Sequence, residues 1–336
     1  MPDDPVLVNT PETLGVTPRY VIQHNTVSRG AHGLSATAQK LAAMAMALIP
    51  PDLSSLTAAF TFPEFCNALG MPVGGETYEI FKKAVDECME CYITVETEPD
   101  EKGKRFWKKF TWFTVSTFDE KTGQATMKFS DELAAFLMAL KWMYSKLNLP
   151  DIGSLQSRYA IKLFEMAMSY RSLKGKNGNA GESWYFERPI KELRMILGVP
   201  EKAYKETHLF KQYAIEKPIK ELNNAGIGLE IRPEGIKQGR RIVAIRFDCR
   251  HVPRTARGKR GGAKALPLPE PSPKTEDLRE EKELQHLKER YPEEFAERYQ
   301  SAMDSRPEFL QDSEIGAAFA EARALLELRD KYGVVK

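Results

Sequence analysis

"LRMILGVPEKAYKETHLFKQYAIEKPIKELNNAGIGLEIR", residues 193 to 232, decides the fold. A short apolar-periodic run ends at Leu197-Gly198, a proline-containing link follows, and a longer amphipathic run leads into alternating residues. Glycine suits the left-handed position that ends a helix, and the proline beyond it blocks continuation. On a 3.6-residue period Phe210, Ala214, Ile215, Pro218, Ile219 and Leu222 share one face of the longer run. Lys205, Leu209, Gln212, Tyr213, Glu216, Lys217 and Lys220 share the other. The first face packs and the second faces out. A charged outer face is usually only solvated, so these lysines take their meaning from context.

The context is an earlier copy of the same pattern. "FCNALGMPVGGETYEIFKKAVDECMECYITVE", residues 65 to 96, also ends a short helix at Leu69-Gly70, passes a proline, and enters a longer helix carrying a Tyr and then Phe-Lys. Each long helix leads to two alternating strands around a polar turn. In the first copy we assign these to "CYITVETE", the tip "PDEKGK" and "FWKKFTWFTVSTF"; in the second, to "IGLEIR", "PEGIKQGR" and "RIVAIRFD". Each copy has a preceding helix available, at 35–49 and 154–173. Helix, turn, helix, hairpin is a winged helix-turn-helix. The expected fold class is therefore α+β: two tandem winged helix-turn-helix domains from an internal duplication, then a basic linker and a helical C-terminal tail. The spacing of about 128 residues is far too long for a solenoid.

The boundaries expected are an N-terminal arm at 1–18, a first winged-helix domain at 19–150, a second at 151–252, a Pro/Gly-rich basic linker at 253–274, and an acidic helical tail at 275–336. The linker's Gly, Pro, Arg and Lys content suits a flexible connection or a basic arm. Helical patterns "TEDLREEKELQHLKERY" and "EIGAAFAEARALLELRDKYG" fill the tail.

Charge separates these parts. The whole chain carries a net charge of only +2. Residues 1–150 hold 14 Lys and Arg against 18 Asp and Glu, residues 151–264 hold 24 against 12, and residues 265–336 hold 11 against 17. A basic middle third is the footprint of a surface that meets a polyanion, and nucleic acid is the commonest.

Other classes fit less well. The longest apolar run, "LAAMAMALI" at 41–49, is far below the roughly 20 residues needed to cross a bilayer, so no membrane partner is expected. "MPDDPVLVNT" lacks the apolar segment of a secretory signal, which points to the cytoplasm. Cys66, Cys88, Cys91 and Cys249 read as buried thiols of a reducing compartment. The lone Cys88/Cys91 pair has no second pair or spaced histidines to complete a zinc site. His24, His32, His208, His251 and His286 are scattered, where a nicking enzyme needs a metal-binding histidine pair, and no phosphate-cradling G-x-x-x-x-G-K-[ST] occurs. The expectation is a binder, not an enzyme, with no metal, cofactor or catalytic residue.

The stretches "SRYAIKLFEMAMSYR", "IKELRMILGVPEKAYKETHLFKQYAIEKPIKELN" and "GRRIVAIRFD" resemble the replication initiator (Rep) proteins of iteron-containing bacterial plasmids. The similarity also runs through "NTVSRGAHGLSATAQKLAAMAMALI" and covers about residues 19–250. The resemblance implies binding to repeated origin sites (iterons) in double-stranded DNA, origin opening, and recruitment of the host replication initiator and helicase. It also implies a homodimer, formed largely through the first domain, in equilibrium with monomer, repressing its own gene or limiting copy number. Relatives place a proline like Pro218 in the second recognition helix; mid-helix proline predicts a bend or break at Lys217. Many relatives carry a basic pair after Phe-Lys, where this chain has Gln212 and Tyr213. Gln can pair with adenine and Tyr can touch phosphate or a thymine methyl, so the sequence read differs. The alternative is a winged-helix transcriptional regulator without an initiation role, separated by whether it binds an array of direct repeats.

Candidate DNA contacts follow from the motif. Lys202, Lys205, Thr207, His208, Lys211 and Gln212 are assigned to the first turns of the recognition helix, where base contacts concentrate, with Lys217 further along its outer face. His208 and Lys211 border the core side. Arg158, at the start of a helix behind Ser154 and Ser157, is read as a phosphate contact or a structural salt bridge. Arg240, Arg241 and Arg246 are wing contacts or solubilising charges of an exposed strand. Lys82, Lys83, Lys104, Arg105, Lys108 and Lys109 form a weaker basic set in the acidic first domain. The aromatics Phe106, Trp107, Phe110, Trp112 and Phe113 alternate along a strand, with most expected in the core and the other face available for a dimer.

Overall fold

Thr61 starts the first helix-turn-helix because its hydroxyl and the Glu64 carboxylate cap each other's backbone N–H groups, at 3.4 and 2.7 Å. Pro63 sits in the first turn of that helix, and Gly70 ends it in the left-handed conformation at φ 62°. The second copy ends its short helix the same way, with Gly198 at φ 58°. In this computed structural model the described residues are 18–50, 55–96, 107–133, 144–171, 183–254 and 286–304, with positions 321, 324, 325, 328, 331 and 332. Lys104, Arg105, Phe106, most of the expected arm and nearly all of the expected linker lie outside them.

The elements in chain order are β1 (Tyr20–His24), α1 (Asn25–Arg29), α2 (Ala36–Leu48), β2 (Thr57–Thr61), α3 (Phe62–Leu69), α4 (Gly75–Glu90), β3 (Tyr92–Glu96), β4 (Trp107–Thr111), β5 (Phe113–Asp119), β6 (Gln124–Phe129) and β7 (Tyr144–Asn148). They continue with α5 (Leu149–Ser154), α6 (Arg158–Tyr170), β8 (Ser183–Pro189), α7 (Ile190–Ile196), α8 (207–224), β9 (Leu229–Gln238), β10 (Arg241–His251) and α9 (Pro292–Asp304). Two three-stranded antiparallel sheets have the orders β2-β6-β5 and β8-β10-β9. In each, the strand before the short helix pairs with the last strand of the hairpin, which lies in the middle. This shared topology around α3–α4 and α7–α8 makes two tandem winged-helix domains. The strands β2 and β8 carry no turn signal strong enough to be read from the sequence.

That topology corrects the first hairpin. The wing equivalent to β9–β10 is β5–β6, not the strands around "PDEKGK". β3 and β4 form a separate two-stranded sheet inserted after α4, and β3 also bridges back to Ala31. The run "FWKKFTWFTVSTF" is therefore two strands, broken at buried Trp112. Alternation looked continuous because the break costs no turn residue. Trp112 and Phe113 are core, Phe110 packs against it, and Trp107 is exposed, so fewer of these aromatics are core than expected.

The core is one continuous cluster running through both domains. Phe60, Phe62, Phe65 and Phe118 surround fully buried Phe81 with ring centroids 5.0 to 6.5 Å away. β1 pairs with β7 from Tyr20↔Asn148 to His24↔Tyr144, so the two ends of the first domain close on each other. α6 then packs against α1 and α2 on one side and α8 on the other. Gly153 lets α5 meet α3: a Cβ there would lie 1.8 Å from the Leu69 carbonyl oxygen.

His24 caps α1, its Nδ1 accepting from the Thr26 N–H at 3.2 Å, which requires the neutral ring. Burial first, and the Arg29 guanidinium second, lower its pKa from 6.5 to about 4. A depressed folded pKa gives stability that is present above 6.5 and lost as pH falls through 6.5 toward 4. Urea unfolding at a series of pH values should therefore lose about 3 kcal/mol through this ring by pH 4. His24→Asn, which keeps a capping acceptor, is expected to flatten that part of the profile.

Burial also pushes the Cys66 thiol up to about 11 and that of Cys249 to about 12. Cys88 is buried as expected, whereas Cys91 is only half-buried. No helix among the described residues is long and apolar enough to cross a membrane. The tail folds on itself: Tyr291 stacks on Tyr332 at 3.9 Å, and Lys288–Glu321 and Lys331–Glu294 pair at 2.7 and 2.8 Å. Its helix α9, opened by Pro292, Glu293 and Glu294, lies within the expected helical tail, between the two helical patterns quoted from it, and proline and acids in a first turn signal its start.

Candidate nucleic-acid interface

The second domain's outer helix decides the interface. α8 begins at Thr207, with Glu206 as its N-cap residue, so Lys202 and Lys205 belong to the turn before it and not to its first turns. Both are exposed, as are Thr207 and Gln212. The expected break at Lys217 is absent. The helix runs α at Thr207–Phe210, π at Lys211–Glu216 and α again at Lys217–Asn224. In the π segment the Lys217 N–H reaches back to the Gln212 carbonyl, which places Pro218 in a first α-turn where its missing N–H does no harm. Lys217 keeps helical angles, φ −63° and ψ −47°, and Pro218 is buried with Ile219 and Leu222. Proline is therefore absorbed by widening the helix instead of breaking it.

Braces hold the C-terminal end of this helix and the strand region beyond it. The Glu221 carboxylate accepts the N–H groups of Gln156 and Ser157 at the start of α6, the latter at 3.1 Å. Asn223 exchanges two 2.9 Å hydrogen bonds with the Ile231 backbone in β9. Arg254 reaches from beyond β10 to both oxygens of buried Asp151, at 3.0 and 2.8 Å. That basic residue of the expected linker has a structural partner.

The structure sorts the basic candidates into free and committed. Lys202, Lys205, Arg240 and Arg241 are exposed and make no ion pair among the described residues. Arg240 and Arg241 sit at the tip of the β9–β10 hairpin, turned by Gly239 at φ 62°, with Lys237 beside them. The Lys217 ammonium lies 4.0 Å from the centre of the Tyr213 ring, on the exposed side of α8. All of these groups are exposed cations of one winged-helix domain, carried on the turn before α8, on α8 and on the β9–β10 tip.

Other candidates have partners within the chain. Arg158 makes no carboxylate pair; its guanidinium donates to the carbonyls of Gly33 and Leu197, at 3.1 and 3.2 Å, and of Gly198. It ties the first domain to the end of α7, a role set by tertiary approach and invisible in sequence. A Cβ at Gly198 would sit 2.2 Å from the His32 carbonyl oxygen, so this seam has no room to spare. Arg246 pairs with Asp248 at 2.9 Å and Glu187 at 3.7 Å and lies over the Tyr185 ring, so it is a sheet-face residue and not a free wing charge. Lys211 is held by Glu216 at 3.0 Å. His208, expected near the core, is 70% exposed and 3.1 Å from Glu206.

In the first domain Lys82 is tied to Glu120 on the β5–β6 turn, which raises its pKa through that hydrogen bond. Lys83 is exposed on α4, but its neighbours on that face are Glu76, Glu79, Asp86 and Glu90. This helix presents an acidic surface, unlike α8.

Comparisons with known proteins agree with the fold. The family model described as Initiator Replication protein, WH1 matches residues 20–168, and that described as Initiator Rep protein, WH2 matches residues 189–249. A solved structure described as Pi initiator protein in complex with iteron DNA is similar to this chain, with a TM-score of 0.52 and 15% identity, covering 70% of this chain and 99% of that one. Domains 2 and 3 of RctB match at a TM-score of 0.38 and 10% identity, over 64% of this chain and 82% of theirs. No curated protein matches.

Proposed function

The chain belongs to the plasmid initiator replication protein family, and from that premise we propose that it starts replication by binding repeated sites in a plasmid origin through its second winged-helix domain. Bound in an array, it opens the origin and brings in the host replication initiator and helicase. It acts as a binder and carries out no covalent step. The observation that supports this most is that one domain carries both the exposed polar face of α8 and the exposed arginines of the β9–β10 tip, which make no ion pair among the described residues.

Footprinting on the native replicon is the direct test. Protection of several direct repeats is expected, and protection of a single inverted repeat would instead favour a transcriptional regulator. At the cognate site Lys205→Ala or Gln212→Ala is expected to cost about 1–3 kcal/mol, while Arg241→Ala weakens cognate and random duplex alike. Equal losses on both duplexes for the first pair would overturn their assignment as base readers.

The first domain supplies the dimer in this reading, and the dimer represses the initiator's own gene and limits copy number. Among the described residues β4 has an unpaired edge, and Tyr92 and Trp107 on its sheet are 48% and 37% exposed. An open edge with exposed aromatics suits pairing with a second copy. Light scattering should find a dimer that Trp107→Glu converts to monomer; monomer alone at high concentration would defeat the idea.

A further inference from the structure

We propose that Tyr213 is a sequence-reading residue of the second domain and that Tyr204 is the positioning residue that holds it. This rests on the DNA-binding reading above. Tyr204 is the only non-glycine with positive φ among the described residues, at 47°. Such a conformation persists only where its surroundings over-determine it, and it clusters at functional sites.

Its surroundings are specific. Arg194 donates to the carbonyls of Tyr204 and Ala203 at 2.8 and 2.6 Å. The same guanidinium lies over the ring of fully buried Phe210, 5.1 Å away. The turn before α8 is thus clamped to the helix it precedes. The inverted backbone lays the Tyr204 ring flat on Tyr213, with centroids 5.3 Å apart and planes 8° from parallel. Lys217 holds its ammonium 4.0 Å from the centre of the Tyr213 ring.

Tyr213 itself lies in the π segment, a feature often found where a helix has a task besides packing. It remains 39% exposed. A stack that served stability alone would gain by burying this ring, and would not need a residue of positive φ at the edge of the core to support it. The arrangement instead presents a ring edge and a hydroxyl from a fixed position on the face a winged helix turns to a groove. A ring edge suits a thymine methyl, and a hydroxyl can donate to or accept from a base edge. Holding the ring before binding removes the ordering cost at binding.

The test uses the full chain and a pool of duplexes with a randomised core. Wild type is expected to enrich a motif. Tyr213→Ala should lose about tenfold preference at one or two adjacent base pairs of that motif. Its random-duplex affinity should fall far less than this preference, its salt slope should hold because no cation is removed, and it should remain folded at the titration temperature despite losing the stack. Tyr204→Ala should blur the same positions, and Tyr204→Phe, which keeps the stacking ring, should restore them. If Tyr213→Ala enriches the same motif with equal preference, or weakens all duplexes equally, Tyr213 is not a reader and the proposal fails. If Tyr204→Ala leaves the motif sharp, the positioning role fails. Should wild type enrich nothing, the sequence-specific reading itself is wrong and takes this proposal with it.

Discussion

Raising salt from 50 to 200 mM is expected to weaken binding to the cognate repeat by about a thousandfold. The surface of the second domain offers Lys202, Lys205, Lys217, Lys237, Arg240 and Arg241, all exposed and none in an ion pair among the described residues. Each cation that meets a phosphate releases condensed counterions and contributes about 0.9 to the log-log slope. Lys205 is kept for a base edge, and the other five as phosphate contacts across a fourfold change in salt give a loss of this order. The committed cations make this a test of the structure and not of net charge. Arg240→Ala should lower the slope by about one contact, whereas Arg246→Ala should leave it unchanged, because Asp248 and Glu187 already hold that guanidinium. Equal slope changes for the two variants, read from titrations at several salt concentrations, would contradict this division.

Replacing Glu165 by alanine is expected to cost about 3–5 kcal/mol of unfolding free energy in urea titrations. Glu165 and Lys162, one turn apart on α6, pair at 3.4 Å with side chains only 7% and 2% exposed. The Lys162 ammonium also donates to the Val27 carbonyl of α1 at 3.2 Å, so the pair sits where α1 meets α6. Burial pushes the carboxyl up and the ammonium down from their ordinary values, and each partner opposes that push on the other. Removing the carboxylate leaves a buried cation with one carbonyl for company, and that uncompensated charge is the source of the loss. The double replacement Lys162→Met with Glu165→Leu is expected to be close to neutral, since apolar groups of similar volume carry no desolvation penalty. A large loss in the double variant would mean that packing, not charge, holds this seam.

Local chemistry made much of this molecule legible in its sequence. Leu69-Gly70 and Leu197-Gly198 end helices because a left-handed residue must follow a helix of this kind, and a glycine shows that need in one letter. The apolar spacing of Phe210, Ala214, Ile215, Ile219 and Leu222 set the buried side of α8, because helical period is a property of the chain itself. Thus the duplicated winged helix and the exposure of Lys205 and Gln212 could be read directly. Three things could not. The true first wing was hidden because strand pairing is non-local, and only the partner of β6 distinguishes β5 from β4. The π segment that absorbs Pro218 depends on how α8 packs on α6. Above all, which cations remain free was decided across the fold: Gly33 and Leu197 take Arg158, and Glu187 joins the neighbouring Asp248 in holding Arg246, while Arg194 turns Tyr204 onto Tyr213. Sequence determined which side chains could meet a polyanion, and tertiary structure chose among them, because an ion pair depends on a few ångströms in space and not on separation along the chain.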